Sequence, residues 1–197
     1  MTRLILVRHG ETEHNRNRLT LGRAEIPLNV RGIAQARAVA ASFLRPPAAI
    51  YTSPLRRAAD TAGAIALATG ASVAVEPDLV EMEVGDMEHL APADLRARYP
   101  DFLKQWLSPD AGDARMPGGE TLREVQDRAW AAIERIRVAH PDGEVVAVTH
   151  NFVILTVVCR AIGLPHASFR ALRVEVGSRT VLELSDRGNT LLSLNSR

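Results

Sequence analysis

The sequence has few of the features that mark secreted, nucleic-acid-binding or membrane proteins. It contains a single cysteine, Cys159, which excludes an internal disulfide and favours a reducing compartment. Its 24 Lys and Arg residues nearly balance its 23 Asp and Glu residues, so no overall charge suits a nucleic acid or a membrane surface. No apolar run approaches the length that crosses a bilayer, and no basic-then-apolar leader precedes the first strand. We therefore expect a cytoplasmic protein that binds neither nucleic acid nor membrane.

The pattern of apolar residues is typical of an α/β protein. Short β-branched runs alternate with stretches in which apolar residues recur every three or four positions. We predict a three-layer sandwich with a mostly parallel central sheet and flanking helices, completed by C-terminal edge strands at residues 172–176, 180–184 and 190–194. With 197 residues and no internal repeat, the chain fits a single domain over residues 1–197. The irregular residues 85–117 are expected to form a lid-like insertion over a pocket.

Capping and turn residues predict where several elements begin. Asn29 predicts the N-cap of a helix over residues 31–44, and the polar residues 11–29 before it are expected to form a loop. Ser53 with Pro54 predicts the start of a second helix.

The first predicted strand, residues 4–7, ends in residues that a buried strand does not need. Arg8, His9 and Gly10 follow it directly. Open α/β sheets bind ligands at the carboxyl ends of their strands. Arginine presents a planar fork to phosphate or carboxylate, and imidazole can serve as a nucleophile or base near neutral pH. Such a triplet also recurs by chance, so alone it is a moderate indication of a site.

A second apolar strand, residues 144–149, also ends in a histidine. His150 follows this strand, and an apolar helical stretch over residues 152–162 comes next. Two strands that both end in histidine are predicted to bring His9 and His150 to one edge of the sheet.

These motifs together resemble the histidine phosphatase superfamily, also called the phosphoglycerate-mutase-like family. The resemblance spans residues 3 to about 160, in the family's order and spacing. It depends on Arg8-His9-Gly10-Glu11-Thr12 with Asn15, Ser53-Pro54-Leu55-Arg56-Arg57-Ala58 with Thr61-Ala62, Glu81 ahead of Gly85, Pro117-Gly118-Gly119-Glu120, and Thr149-His150. No motif is decisive alone. The resemblance implies phosphoryl transfer on a small phosphorylated substrate, with no metal or other cofactor.

The resemblance implies catalytic roles for a histidine, two arginines and a second histidine. His9 would be the nucleophile and become a phosphohistidine, so a hydrogen-bond acceptor must fix its tautomer. Arg8 and Arg57 would bind the phosphate oxygens, and His150 would donate a hydrogen bond to them. Positive charge from placed side chains is what a phosphoryl transition state requires.

The remaining catalytic role would fall to an acid. By resemblance, Glu81 would protonate the leaving alkoxide and then activate water against the phosphohistidine. A neighbouring phosphate should raise its pKa, because like charge disfavours ionisation. Glu83 and Glu88 are nearby acids, and only the family pattern selects Glu81 among the three.

Three further residues are expected to contact the substrate. The resemblance implies this role for Asn15, Gly22 and Asn151, beside Arg8, Arg57, Glu81 and His150. The chain departs from the family pattern in Leu21-Gly22-Arg23, where a polar residue often precedes the glycine, and in Asn151, where glycine is common. It also has His89 after Glu88, where glycine is frequent, and we expect His89 to be exposed.

The resemblance covers both phosphatases and phosphoglycerate mutases. Mutases of the family tend to be longer, with an extra insertion near the active site and a tryptophan in the loop matched here by Gly22-Arg23. This chain has neither feature, so a phosphatase is favoured, with mutase-type phosphoryl transfer as the alternative. Edge elements would allow a homodimer as well as a monomer.

Two other classes of function remain to be weighed. A metal site could be imagined from His9, His14, His89 and His150 with Glu11 and Glu13, but Arg8 would repel a cation and the usual ligand spacings are missing. A non-catalytic relative could bind phosphorylated ligands, although such relatives usually lose one of the five catalytic positions retained here.

Overall fold

The computed structural model describes residues 1–196 as one six-stranded sheet covered by helices on both faces. The strands are β1 (Thr2–Arg8), β2 (Ala49–Thr52), β3 (Val73–Val75), β4 (Glu144–Thr149), β5 (Arg179–Leu184) and β6 (Thr190–Ser196). Their order is β3-β2-β4-β1-β5-β6. The first four strands in this order run parallel, whereas β5 and β6 are antiparallel additions at one edge. The predicted α/β class is confirmed, and so are the edge strands predicted at residues 180–184 and 190–194.

The helices form two layers around this sheet. They are α1 (Glu13–Arg16), α2 (Val30–Ala41), α3 (Arg56–Thr69), α4 (Pro92–Arg98), α5 (Pro100–Trp106), α6 (Leu122–Ala139) and α7 (Asn151–Ala161), with 3₁₀ turns at Pro77–Leu79, Gly85–Met87, Ala111–Asp113 and His166–Ala171. Helices α2 and α3 pack on one face, and α6 and α7 pack on the other. Within residues 1–196, no helix combines the length and apolar character needed to cross a membrane.

Burial of both sheet faces explains why the central strands are continuous apolar runs. In β1, Leu4 and Leu6 belong to the apolar cluster of α6 and α7, whereas Ile5 and Val7 belong to the cluster of α2 and α3. Successive side chains of a strand point to opposite faces, so a strand between two helical layers needs apolar residues at every position.

The two strands that end in histidine are parallel neighbours in register. Arg8 lies opposite Thr149, and the His9 N–H donates to the Thr149 carbonyl over 3.1 Å. Strand β2 ends at the same edge, where the Ser53 N–H donates to the Val148 carbonyl over 3.0 Å. The sheet therefore brings His9, Ser53 and His150 together.

Three local predictions are wrong in detail. Residues 172–176 form no strand. Their backbone groups form hydrogen bonds with side chains instead of with a neighbouring strand: the Val174 carbonyl accepts from Arg8, and the Glu175 N–H donates to the Asn195 side chain over 2.7 Å. Helix α3 begins at Arg56, two residues after the expected start at Pro54, and Ser53 does not cap it. The loop predicted at residues 11–29 contains the short helix α1, in which the N-cap residue Thr12 and the third helical residue Asn15 form a capping box.

Residues 85–117 pack partly against the hydrophobic core and partly against aromatic residues of α7 and the segment that follows it. Met87 and Met116 are buried in the apolar cluster below α6 and α7. Trp106, at the end of α5, packs its ring against Phe152 of α7 and against Phe169. The segment therefore contacts Phe152 and Phe169 through the ring of Trp106.

Candidate active site

His9 is buried at the end of β1, and its ring is fixed by one backbone acceptor. Its Nδ1 lies 2.7 Å from the carbonyl oxygen of Gly10, which can only accept a hydrogen bond. The proton is therefore on Nδ1, and Nε2 carries a lone pair. Burial lowers the pKa of His9 well below its usual 6.5, and the charges of Arg57 and Arg8 lower it further. The ring is thus held neutral, with Nε2 able to act as a nucleophile.

Arg57 lies directly against the nucleophilic nitrogen. It is buried in the first turn of α3, and its Nε donates to His9 Nε2 over 3.3 Å. Its Nη1 and Nη2 donate to the carbonyl oxygens of Ala24 and Gly22 over 2.8 and 2.6 Å. This hydrogen bond to Nε2 confirms that the nitrogen is an acceptor, as the Gly10 contact requires.

Arg8 is the second guanidinium at the site. Its Nη1 donates to the Val174 carbonyl over 2.6 Å and to the Asn151 side-chain oxygen over 3.2 Å. Burial lowers its pKa to about 10, while the charge of Glu81 opposes that shift. Among the described residues, its buried Nε has no hydrogen-bond partner. A buried, charged donor of this kind can bind an anion.

His150 stands beside His9 at the N-terminus of α7. The two ring centroids are 5.1 Å apart, and His150 Nε2 lies 2.7 Å from the Ser53 hydroxyl oxygen. Burial, followed by the charge of Arg57, lowers the pKa of His150 well below 6.5. Its buried Nδ1 has no hydrogen-bond partner within residues 1–196. No pattern in the sequence indicated that Ser53 would contact His150.

Glu81 is a buried carboxyl group on the same side of the sheet. Its Oε1 accepts from the Met82 N–H over 2.9 Å, and its Oε2 accepts from the Phe152 N–H over 3.4 Å. Burial raises the pKa of Glu81 above its usual 4.5, although these hydrogen bonds and the charges of Arg57 and Arg8 oppose the shift. A carboxyl group with a raised pKa can serve as an acid in one step and a base in the next.

The backbone that carries Glu81 is held by a network absent from the sequence predictions. Arg128 donates to the Glu81 carbonyl over 3.1 Å and to both carboxylate oxygens of Glu120 over 2.9 and 3.1 Å. Arg23 donates to the same carbonyl over 3.1 Å and also lies 3.1 Å from a Glu120 oxygen. Glu120, from the Pro-Gly-Gly-Glu motif, therefore acts as a structural anchor.

A cavity of about 780 Å³ opens above His9, and five of the predicted site residues line it. These are Arg8, His9, Asn15, Glu81 and Asn151. Arg57 and His150 contact His9 and lie outside that lining. Gly22 is also outside it, because its N–H donates to Glu88 and its carbonyl accepts from Arg57. The sequence therefore selected residues that meet in space, but Gly22 holds Arg57 in position.

The outer cavity has two chemically different walls. One comes from α7 and the following loop and is mainly apolar, although the loop also contributes the charged Arg170, Arg173 and Glu175. Its apolar side chains are Phe152, Leu155, Phe169, Leu172 and Val174. The other is polar and includes Glu11, Arg18, Arg31 and Gln35. None of the lining residues comes from residues 85–117. Sequence periodicity marked Phe152 and Leu155 only as helix residues, because a side chain that lines a cavity and one that fills a core have the same apolar character.

The histidines of the imagined metal site lie in two separate places. His14 and His89 pair near the surface, with Nε2 and Nδ1 2.8 Å apart, while His9 and His150 are buried at the site. His89 is exposed, as expected. Within residues 1–196, no three His, Cys, Asp or Glu side chains are grouped as ligands of one metal ion.

Comparisons with known proteins find phosphatases that are similar to this chain. Phosphoserine phosphatase 1 of Hydrogenobacter thermophilus is 30% identical over 196 residues, which cover 99% of this chain and 92% of that protein. The structure of the alpha-ribazole phosphatase of Shigella flexneri matches with a TM-score of 0.87 and 30% identity, covering 98% of this chain and 96% of that one. A mycobacterial glucosyl-3-phosphoglycerate phosphatase in complex with VO3 matches with a TM-score of 0.88 and 32% identity over 99% of both chains.

A family model also matches nearly the whole sequence. The model is that of the histidine phosphatase superfamily, branch 1, and it aligns with residues 4–197. The match confirms the resemblance inferred from the motifs and extends it past residue 160 to the edge strands. The chain therefore belongs to branch 1 of the histidine phosphatase superfamily and is a phosphatase of that type.

Proposed function

We propose that this protein hydrolyses a phosphate monoester through a phosphohistidine on His9, without a metal ion. The observation that carries the proposal is the hydrogen bonding of the His9 ring. Nδ1 is directed to the Gly10 carbonyl, so the lone pair is on Nε2, beside the Arg57 guanidinium. This is the arrangement that an imidazole nucleophile needs when it attacks an anionic phosphoryl group.

In the first step His9 Nε2 attacks phosphorus, an N–P bond forms and the ester P–O bond breaks. Glu81 gives its proton to the leaving alkoxide, a role that its raised pKa supports. Arg8 and Arg57 bind the equatorial oxygens, and His150 hydrogen-bonds to the same group. The positive charge of the two arginines supplies the electrostatic stabilisation that other phosphatases obtain from metal ions.

In the second step water replaces the histidine on phosphorus. Ionised Glu81 takes a proton from the water as its oxygen attacks, and the N–P bond breaks to give inorganic phosphate and neutral His9. Both steps use the same side chain as acid and then base, so a single carboxyl group completes the cycle. Asn15 and Asn151 are proposed to contact the phosphoryl group from the cavity side.

We also propose that the substrate is a small phosphate ester whose leaving group has one apolar face. The apolar wall of Phe152, Leu155, Phe169 and Leu172 supports this, because it can bury such a face. The opposite wall, with Glu11, Arg31 and Gln35, offers polar partners for hydroxyl or acidic groups. Residues 85–117, as an insertion in a single domain, are proposed to act by supporting the apolar wall through Trp106.

The test compares hydrolysis with phosphoryl transfer between metabolites. The purified protein is incubated in EDTA with p-nitrophenyl phosphate and, separately, with 3-phosphoglycerate plus 2,3-bisphosphoglycerate. The expected result is phosphate release from p-nitrophenyl phosphate that persists in EDTA, disappears in His9→Ala and survives in His140→Ala, a histidine bonded to Tyr51.

Two results would overturn the proposal. Interconversion of phosphoglycerates with little phosphate release would make the protein a mutase. Failure to trap phosphate on His9 during turnover, in an acid-labile and base-stable form, would rule out the phosphohistidine.

A further inference from the structure

Glu88 holds a tight turn through three consecutive backbone groups. Its Oε1 accepts from the Gly22 N–H over 2.7 Å, and its Oε2 accepts from the N–H groups of Arg23 and Ala24 over 3.0 and 3.3 Å. Successive N–H groups that converge in this way form a cradle for an anion. Here the anion is the carboxylate of the chain itself.

The same turn holds Arg57 on its other side. The carbonyl oxygens of Gly22 and Ala24 accept from Arg57 Nη2 and Nη1, while Arg57 Nε reaches His9 Nε2. The peptide groups of residues 22–24 therefore lie between the Glu88 carboxylate and the Arg57 guanidinium. Moving the turn would rotate the guanidinium away from His9.

Close packing around Gly22 restricts movement of the turn. A Cβ added to Gly22 would lie 2.7 Å from Val84 Cγ2 and 2.9 Å from the Met82 carbonyl oxygen. The backbone thus packs directly on the segment that leads from Glu81 to Glu88. Arg23 also binds the Glu81 carbonyl, so the turn joins the parts of the chain that carry Arg57 and Glu81.

We propose that Glu88 is a positioning residue for Arg57, acting through the backbone of residues 22–24. This inference rests on the proposed function, in which Arg57 binds the phosphoryl group. Glu88 does not line the cavity above His9, so it acts without touching the substrate. Burial lowers the pKa of Arg57, and the negative charge of Glu88 opposes this shift by favouring the protonated guanidinium.

The test replaces Glu88 by glutamine and follows both catalysis and phosphate binding. Glutamine puts an NH₂ donor where a carboxylate oxygen accepts, so at least one N–H of the turn loses its partner. We expect kcat/KM to fall about ten- to hundredfold, the size of effect that loss of a hydrogen bond to a charged group produces. Glu88→Asp, which keeps the carboxylate, should recover part of the loss.

A double-mutant cycle separates positioning from a general structural role. If Glu88 acts through Arg57, then Glu88→Gln in an Arg57→Lys background should lower kcat/KM by no more than about twofold, because the interaction is already lost. Fully additive losses in the cycle would overturn the proposal. Glu76→Gln is the matched control, since Glu76 also accepts from a backbone N–H, that of Asp78, and pairs with Arg135 away from the site.

Binding of inorganic phosphate gives a readout that does not need turnover. Phosphate should raise the Tm of the wild-type protein and of Glu76→Gln, but raise that of Glu88→Gln much less at the same concentration. An unchanged phosphate-induced shift in Glu88→Gln would contradict the inference. Lack of turnover in the wild type with a normal phosphate shift would instead count against the proposed function alone.

Discussion

His9 and Glu81 show how burial sets opposite protonation states in one site. Loss of water disfavours the charged form of each group, so burial lowers the pKa of the imidazole and raises that of the carboxyl. The arginines beside them reinforce the shift of His9 and oppose the shift of Glu81. Burial thus favours a neutral imidazole on His9 and a protonated carboxyl group on Glu81.

This pairing leads to a prediction about the pH dependence of kcat/KM. Neutral His9 is needed, so the acid limb should lie below pH 6.5, and protonated Glu81 is needed, so activity should fall as pH rises through a pKa above 4.5. For an alkyl phosphate, Glu81→Gln should remove the alkaline limb and lower the maximum by about 10²–10⁴-fold. Steady-state kinetics across pH would check this, with Glu83→Gln as a variant that keeps the limb. An alkaline limb that persists in Glu81→Gln would assign it to another group.

Gly10 gives a second prediction at the scale of a residue. A Cβ at this position would lie 2.3 Å from the Gly32 carbonyl oxygen, because the first turn of α2 packs on the backbone after β1. Gly10→Ala should therefore lower the free energy of unfolding by about 1–3 kcal/mol and disturb the carbonyl that fixes the His9 tautomer. Gly63→Ala is the control, since nothing lies within 4 Å of its added Cβ and alanine should stabilise α3 by about 0.5–1 kcal/mol. Urea unfolding of both variants measures the difference, and equal stability of the two would contradict the clash.

Sequence reasoning selected residues that act through their own chemistry and missed those that act through contacts. His9, Arg8 and His150 are recognisable because charged or imidazole side chains follow buried strands. Ser53 and Glu88 are ordinary polar residues until the fold brings them to His150 and to residues 22–24. No local pattern encodes a partner 97 or 66 positions away in the chain.

At the scale of elements, periodicity predicted the central strands and long helices because one physical requirement, burial, dominates them. Residues 172–176 misled the same reasoning, since Val174 is buried and its neighbours are less so, without any strand partner for the backbone. A loop in which apolar and polar residues alternate cannot be distinguished by sequence from a half-buried strand. The start of α3 was misplaced because Ser53 bonds to His150 as well as to the Leu55 N–H.

The aromatic contacts of α5 give a prediction at this scale. The Trp106 ring lies 5.8 and 5.1 Å from the rings of Phe152 and Phe169, and its carbonyl accepts from Arg170 over 2.7 Å. Trp106→Ala should lower the free energy of unfolding by about 2–4 kcal/mol through the space it leaves. Because the apolar wall is proposed to contact the leaving group, KM should rise more than kcat falls. Leu107→Ala, at an exposed neighbour, should change neither the free energy of unfolding nor KM. Steady-state kinetics and urea unfolding of both variants test these expectations.

The whole molecule explains why such a polar site can exist inside a sheet protein. Apolar clusters on both faces exclude water from the strand ends, and the parallel pairing of β1 and β4 places two histidines side by side there. The same burial lowers the free energy of unfolding at any pH where the two histidines would be protonated in the unfolded chain. The proposed chemistry and the stability of the fold are therefore linked through the same two rings.

This coupling predicts how stability changes with pH. The folded-state pKa values of His9 and His150 lie below their unfolded value of 6.5, so the unfolded chain binds more protons and stability falls as pH drops below 6.5. Each ring contributes up to about 1.4 kcal/mol per pH unit in that window. Glu81, with a raised pKa, acts in the opposite direction, since its contribution is lost as pH rises above 4.5.

His9→Asn should therefore flatten the dependence of unfolding free energy on pH, measured by urea titration between about pH 5 and 6.5. Gly63→Ala should shift every midpoint without changing that slope. A His9→Asn slope equal to that of the wild type would show that His9 binds protons equally well in the folded protein and in the unfolded chain, and would contradict its lowered pKa.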